Sequence, residues 1–317
     1  MIIYLAGMNG WGHICMNDFI GGNMDLYMAG GISGNLNPAW RRMSKGGVIS
    51  DTGFIDALKN EKFLEKDKNM DLYIAGIQGK RKGFVVKDAS VEYRPLILES
   101  FYYVDEDTER LLPYFGDFLL DSGAFTFMQN SKGHVEWDTY IKRYADFINK
   151  NNIEKFFELD IDSIVGYEKV LEYRQELEDL TGKRCIPVWH KSRGIKEFLR
   201  MCDEYDYVAI GGIVAKEISS DQYKAFPSMI MEAHKRGCKI HGLGFTNLEW
   251  LPRCHFDSVD STAWTTGNRF GYIYKFNGRT MEKIKVPPGK RLSDPRKVAL
   301  INFIEWLKFQ NYAKTNL

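Results

Sequence analysis

Short apolar runs rich in β-branched and aromatic residues recur along the chain, each closed by a polar turn and most followed by a stretch at helical spacing. The clearest lie at 96–103, 118–121, 155–160, 185–190, 207–212, 239–243 and 256–260. Hydrophobicity this continuous predicts strands buried on both faces, as in a parallel sheet covered by helices. Between them, Trp137, Tyr140, Ile141, Tyr144, Phe147 and Ile148 step along one helical face, and Leu171, Tyr173 and Leu177 do so more loosely. Thr246 with Glu249 resembles a capping box. Ser293-Asp294-Pro295 is a strong start for a last helix, whose Leu300, Ile301, Ile304 and Leu307 form an apolar stripe.

The N-terminal region repeats a pattern: IIYLAGMNG at the start, DLYMAGGISG at 25–34 and DLYIAGIQGK at 71–80. Each copy reads as a short strand ending in Ala-Gly and a glycine-rich turn. No GK[ST] or GxGxxG follows, so tight connections are a better reading than phosphate cradles. One strand from this region added to the seven above makes eight. Alternation alone does not separate a (β/α)8 barrel from an open doubly wound sheet.

Composition narrows the class. The 317 residues are 44% hydrophobic and hold 43 Lys+Arg against 42 Asp+Glu, with no apolar run near the roughly 20 residues that span a bilayer. A membrane protein, a coiled coil and a disordered chain are excluded. The first residues, with no basic stretch and an early Gly7, lack a secretion-signal pattern, which gives a cytoplasmic expectation. The five cysteines, Cys15, Cys185, Cys202, Cys238 and Cys254, form no CxxC pair and read as free buried thiols, with no metal site.

Charge is uneven. Residues 264–317 carry eleven Lys/Arg against three Asp/Glu, so the tail is basic and the body acidic. This is either a solvated surface or a phosphate-contacting face, with Arg269, Lys275, Arg279, Lys283 and Lys285 as candidate phosphate contacts.

The strand ends carry the chemistry. Successive runs finish in LLDSGAF, ELDID, IPVWH, AIGGIV, IHGLGFT and FDSVDSTAW. In a barrel every C-terminal strand end faces one cavity, so Asp121, Asp160, Asp162, His190, His241, Asp257 and Asp260 would converge there. A lone Asp after a strand is usually a helix cap. Several together are costly to bury unless a ligand or reaction needs them. Paired carboxylates suit chemistry at an anomeric carbon, one as nucleophile and one exchanging a proton with the leaving group.

These motifs carry a resemblance. LLDSGAF is similar to the aspartate-serine-glycine-glycine-aromatic motif of the tRNA-guanine transglycosylases, and GGIVAKE at 211–217 to their glycine-rich loop. HGLGFT and FDSVDS resemble the later stretch that carries their nucleophile. Order and spacing agree from about residue 115 to 265. DSGAF, the PVxH strand and SVDST bring the chain closest to the phage-type, DpdA-like 7-deazaguanine DNA transglycosylases.

The resemblance implies a single (β/α)8 TIM-type barrel over 1–317 with a basic C-terminal segment at 264–317. It implies exchange of guanine in nucleic acid, DNA rather than tRNA, for a 7-deazaguanine base such as 7-cyano-7-deazaguanine. Carried over by position, Asp260 matches the nucleophile and Asp121 the general acid/base. Asp160, with Asp162 as fallback, matches the carboxylate that reads the guanine edge. Phe125 and His241 fall where the family sandwiches the base, Gly211 and Gly212 where backbone amides meet its carbonyl oxygen, and Ser122 at a hydroxyl beside the acid. His190 and Gly242 complete the expected base pocket. The zinc-binding cysteines of the tRNA enzymes are missing, so neither their zinc subdomain nor any cofactor is expected. A barrel hydrolase of small nucleosides or glycosides, and a catalytically silent nucleic-acid-binding homologue, are the competing readings.

Overall fold

The computed structural model describes residues 2–5, 25–28, 70–77, 95–123, 126, 135–285 and 295–317, the first two segments by their backbone. Strands β1 (Ile2–Leu5) and β2 (Asp25–Met28), the first two copies of the repeat, pair in parallel with one another. The third copy, β3 (Asp71–Ala75), joins a different sheet and supplies the eighth strand expected from this region.

That sheet continues with β4 (Leu96–Ser100), β5 (Asp117–Asp121), β6 (Lys155–Phe156), β7 (Val188–Trp189), β8 (Tyr207–Ile210), β9 (Lys239–Gly242) and β10 (Ser258–Ser261). Its order is β6-β5-β4-β3-β10-β9-β8-β7, and neighbouring strands run parallel. The sheet curls. Beyond its two outermost strands, Phe157 and Ile186 form a parallel bridge: Ile186 N–H donates to Phe156 O (2.8 Å) and Glu158 N–H to Ile186 O (3.1 Å).

Helices follow the strands: α1 (Glu106–Leu111), α2 (Trp137–Lys150), α3 (Asp162–Val165), α4 (Tyr167–Thr181), α5 (Gly194–Glu204), α6 (Phe226–His234), α7 (Leu251–Cys254) and α8 (Gly267–Phe270). A hairpin of β11 (Tyr272–Phe276) and β12 (Met281–Lys285) precedes the last helix, α9 (Pro295–Asn316). Period-2 alternation splits the apolar side chains into two cores. Leu72, Ile97, Leu120, Val208, Ile240 and Val259 pack under the helices. Tyr73, Leu98, Leu119, Phe157, Val188 and Ala209 pack against one another on the inner face. Tyr144 of α2 locks two neighbouring strand ends, its hydroxyl lying 3.1 Å from Leu120 O and 3.0 Å from Phe157 O.

Two local expectations change. The cap before α7 is Asn247, whose Oδ1 accepts from the backbone N–H of Glu249 and Trp250 (both 3.1 Å), rather than Thr246. Helix α9 is buried all round from 298 to 310, where the stripe pattern predicts one solvated face. The hairpin covers its second side. Cys185, Cys202, Cys238 and Cys254 are free and buried, and Cys15 lies outside the described residues. Among the described residues no helix is long and apolar enough to cross a membrane.

Candidate active site

The inward positions at the C-terminal strand ends gather the carboxylates. Asp121 ends β5, and its Oδ2 accepts from Gly123 N–H (3.1 Å). Gly123 has φ +79°, and a Cβ there would lie 2.9 Å from both Ser100 Oγ and Tyr102 N, so glycine is required for the turn that brings its amide back to the carboxylate. Burial raises the Asp121 carboxyl to about 6; the Gly123 amide opposes this, while the charges of Asp260 and Asp160 add to it. Asp121 thus feels the carboxylates that follow two other strands. Ser122 is buried beside Asp121, and its Oγ has no hydrogen-bond partner among the described residues.

Asp260 occupies the third position of β10 and is 6% exposed. Its Oδ1 accepts from Gly244 N–H (2.6 Å) and lies 3.3 Å from His241 Nε2. Gly244 sits at φ +65°, which turns the loop after β9 toward β10. His241 is fully buried beneath Asp260, its Nδ1 2.5 Å from Ser258 Oγ and its ring packed 5.2 Å from Phe157 and 6.1 Å from Tyr73. The ring is fully buried and both nitrogens face protein groups. The ring expected to stack on a base presents no open face here and lies against Asp260 instead. Asp257 lies at the other end of β10, accepting from Ile240 N–H (2.7 Å) and meeting His234 Nε2 (2.8 Å). It is separated from the carboxylate group by the length of the strand.

The third carboxylate, Asp160, is engaged. His190 Nε2 lies 2.8 Å from Asp160 Oδ1 and His190 Nδ1 2.8 Å from Glu217 Oε2. Burial disfavours charge on this ring, but the two carboxylates outweigh it and push it up to about 9, so His190 is an imidazolium donating from both nitrogens at neutral pH. Asp162 binds Arg193, whose Nη2 and Nε reach its Oδ2 at 3.0 and 3.2 Å. Asp160, Asp162 and His190 present atoms within 4.8 Å of one another, a spacing that suits a cation. The cationic role is filled there by the Arg193 guanidinium and the His190 ring. Behind them, buried Glu158 accepts from Arg174 Nε (2.6 Å) and Val188 N–H (2.7 Å).

The glycine pair serves this cluster. Gly211 N–H is committed to Trp189 O (2.9 Å), so it is unavailable to a base carbonyl; a Cβ there would lie 2.7 Å from Val188 Cγ1 and 3.0 Å from the His190 ring. At Gly212, φ is +75° and a Cβ would lie 2.5 Å from Glu217 Oε2. Its amide makes no backbone hydrogen bond among the described residues. Gly242 is pressed against Phe245 and Phe256 on the helix side of β9. Phe125 lies outside the described residues.

The basic candidates lie elsewhere. Tyr274 N–H donates to Asn302 Oδ1 (2.7 Å) and Phe276 packs on Phe309 and Tyr312, so the hairpin runs along α9. Asn302 contacts Trp264, which donates to Ala75 O at the C-terminal end of β3, while Gln310 reaches Leu72 and Leu96 near the opposite strand ends. The turn carrying Arg279 follows Phe276 and hence lies toward the end away from the carboxylates. Lys283 sits 5.0 Å over the Tyr272 ring, Lys275 is half-buried, Lys285 is exposed, and the Arg269 side chain lies outside the described residues.

Residue patterns passed over Gly244, Ser258, Arg193, Glu158 and the role of Glu217. Ser258 carried a signal, standing two positions before Asp260 on the same strand face. No family model and no curated protein matches this chain.

Proposed function

We propose that the chain is a base-exchange glycosyltransferase that replaces guanine in nucleic acid, DNA in preference to tRNA, by a 7-deazaguanine base. The observation that carries this reading is the difference between two carboxylates at one set of strand ends: Asp121 raised to about 6, and Asp260 held through a single oxygen. Two such groups are what a double displacement requires.

Asp260 attacks C1′ as the C1′–N9 bond breaks, giving a glycosyl ester. The bond electrons pass to N9 of guanine, which takes the proton held by Asp121. Asp121, now ionised, removes the N9 proton of the incoming base, whose N9 attacks C1′ and returns the ester electrons to Asp260. Two inversions preserve the anomeric configuration. The target nucleotide must be flipped out or unpaired to reach the group. The reading takes the protein as cytoplasmic and without a zinc subdomain, and the sheet as a closed (β/α)8 barrel, a closure that the bridge between Phe157 and Ile186 supports.

One observation favours a small nucleoside as substrate instead: the Arg279 turn lies away from the carboxylates, which weakens the basic tail as a phosphate path. The deciding experiment offers purified protein radiolabelled guanine with single-stranded DNA, duplex DNA, tRNA or free guanosine, then chases with 7-cyano-7-deazaguanine. Label entering DNA and leaving on the chase is expected. Release of guanine from guanosine alone would move the activity to the nucleoside reading, and inertness toward all four would end the glycosyl-transfer proposal.

A further inference from the structure

Both described contacts of the Asp260 carboxylate fall on one oxygen. Gly244 N–H (2.6 Å) and His241 Nε2 (3.3 Å) approach Oδ1, and Oδ2 accepts no hydrogen bond among the described residues. Beneath the ring, Ser258 Oγ lies 2.5 Å from Nδ1 and in turn contacts the Tyr207 hydroxyl. For an ionised Asp260 the approach of Nε2 is favourable only if Nε2 carries the proton. In a neutral ring Nδ1 is then an acceptor, Ser258 donates to it, and Tyr207 donates to Ser258. One proton ordering satisfies every member of this chain.

We infer that His241 is a positioning residue that divides the labour of the Asp260 oxygens, with Oδ2 the atom that bonds to C1′ and Oδ1 the atom on which charge is stabilised. The inference rests on the glycosyl-transfer reading above. It has a directional consequence. When the ester forms, Asp260 loses its charge and the donors to Oδ1 lose strength; when the ester breaks, charge returns and they regain it. His241 therefore favours breakdown over formation. Removing it shifts the balance toward the covalent adduct, which simple loosening of the fold does not do.

The test measures formation and breakdown of the adduct separately, using a guanine-containing single-stranded oligonucleotide and then excess guanine. His241→Leu should lower the ratio of breakdown to formation about tenfold or more, the worth of one hydrogen bond to a charged group. His241→Gln, which keeps a donor on this side chain, should restore most of it. Ser258→Ala, which frees the ring to place its proton on Nδ1, should shift the ratio in the same direction by a smaller factor and serves if the leucine variant does not fold. Equal slowing of both steps in His241→Leu, with no rescue by glutamine, would overturn the inference. The parent protein and an Asp260→Ala control separate the two levels. If the parent protein exchanges no base, the transglycosylase reading falls and this inference with it; if the parent exchanges base but Asp260→Ala does so too, or His241→Leu and Ser258→Ala keep the normal ratio, the inference alone falls.

Discussion

Two groups of buried polar side chains are treated differently by the fold. Along α9, Asn302 joins Tyr274 N–H to Trp264 O, Glu305 accepts from Phe276 N–H and Lys308, and Gln310 bonds Leu96 N–H, Leu96 O and Leu72 O. These four side chains are matched to the backbone or to a counter-charge, although Trp306 Nε1 beside them has no partner among the described residues. At the strand ends the groups are held but not used up: Asp121 is raised to about 6 by burial and like charge, and among the described residues Ser122 Oγ is without a partner and Asp260 is held through one oxygen. Buried polar groups are ordinarily satisfied. The matched set stabilises; the spare capacity at the other end is where a ligand would act.

The largest effect that can break this contrast comes from Asp121→Asn. Turnover should fall by about a hundredfold to ten-thousandfold, the usual worth of a general acid/base. Stability should move the other way. The folded chain holds this proton up to about pH 6, the unfolded chain only to about 3.8, so stability falls as pH rises between these values. Above pH 6 the ionised carboxylate costs about 3 kcal/mol, which the amide removes. Melting curves at pH 7.5 and pH 4 should show the variant more stable at the first and level with the parent at the second. A less stable variant at pH 7.5 would erase the distinction between the two regions. Base release by the parent enzyme should decline as pH rises through about 6, because Asp121 must hold the proton it gives to N9.

The matched region should answer oppositely. Gln310→Leu leaves Leu96 N–H, Leu96 O and Leu72 O without partners, so it should lose about 3 kcal/mol of stability by denaturant unfolding. Exchange per folded molecule should be unchanged. A specific loss of activity would mean that α9 and the carboxylates act as one unit.

How far these regions were legible in the sequence follows from the range of the forces that form them. Seven of the eight strands were, because burial on both faces writes a continuous apolar run into each, while the eighth was legible only as one of three repeat copies. The positions of Asp121 and Asp260 at strand ends were too, since period 2 and the following turn locate them. The environment of α9 was not: Asn302, Glu305, Lys308 and Gln310 read as a solvated face because the hairpin covering them is a tertiary contact. His241 shows the same limit in depth, since alternation gives its face of the sheet and not its level beneath Asp260. Arg193, three residues past His190, had no pattern to announce it.

His190 stands between the two kinds of burial, fully paired yet at the strand ends, and its substitution should produce a smaller, pH-dependent effect. A ring raised to about 9 from 6.5 contributes stability that is fully present below about pH 6.5 and is lost as pH rises through about 9. His190→Gln should therefore be destabilised at pH 6 by a margin that shrinks toward pH 10, read from melting temperatures. A margin independent of pH would mean that the ring is held neutral, leaving Asp160 free to accept from a base.

The smallest expected effect tests the outermost claim. Lys283 is engaged over Tyr272, and the turn bearing Arg279 lies along α9 toward the strand ends opposite the carboxylates. If the hairpin serves only to cover α9, Arg279→Ala and Lys285→Ala together should leave both the exchange rate and its salt dependence within about twofold of the parent. Were the hairpin a phosphate path, each lost contact would lower the slope of log affinity against log salt by about one unit and weaken binding alike for every DNA sequence. A salt titration of oligonucleotide binding by the double variant decides the matter. A drop of about two units would place nucleic acid along α9, and the route from there to Asp260 would have to cross the face of the molecule that holds Trp264.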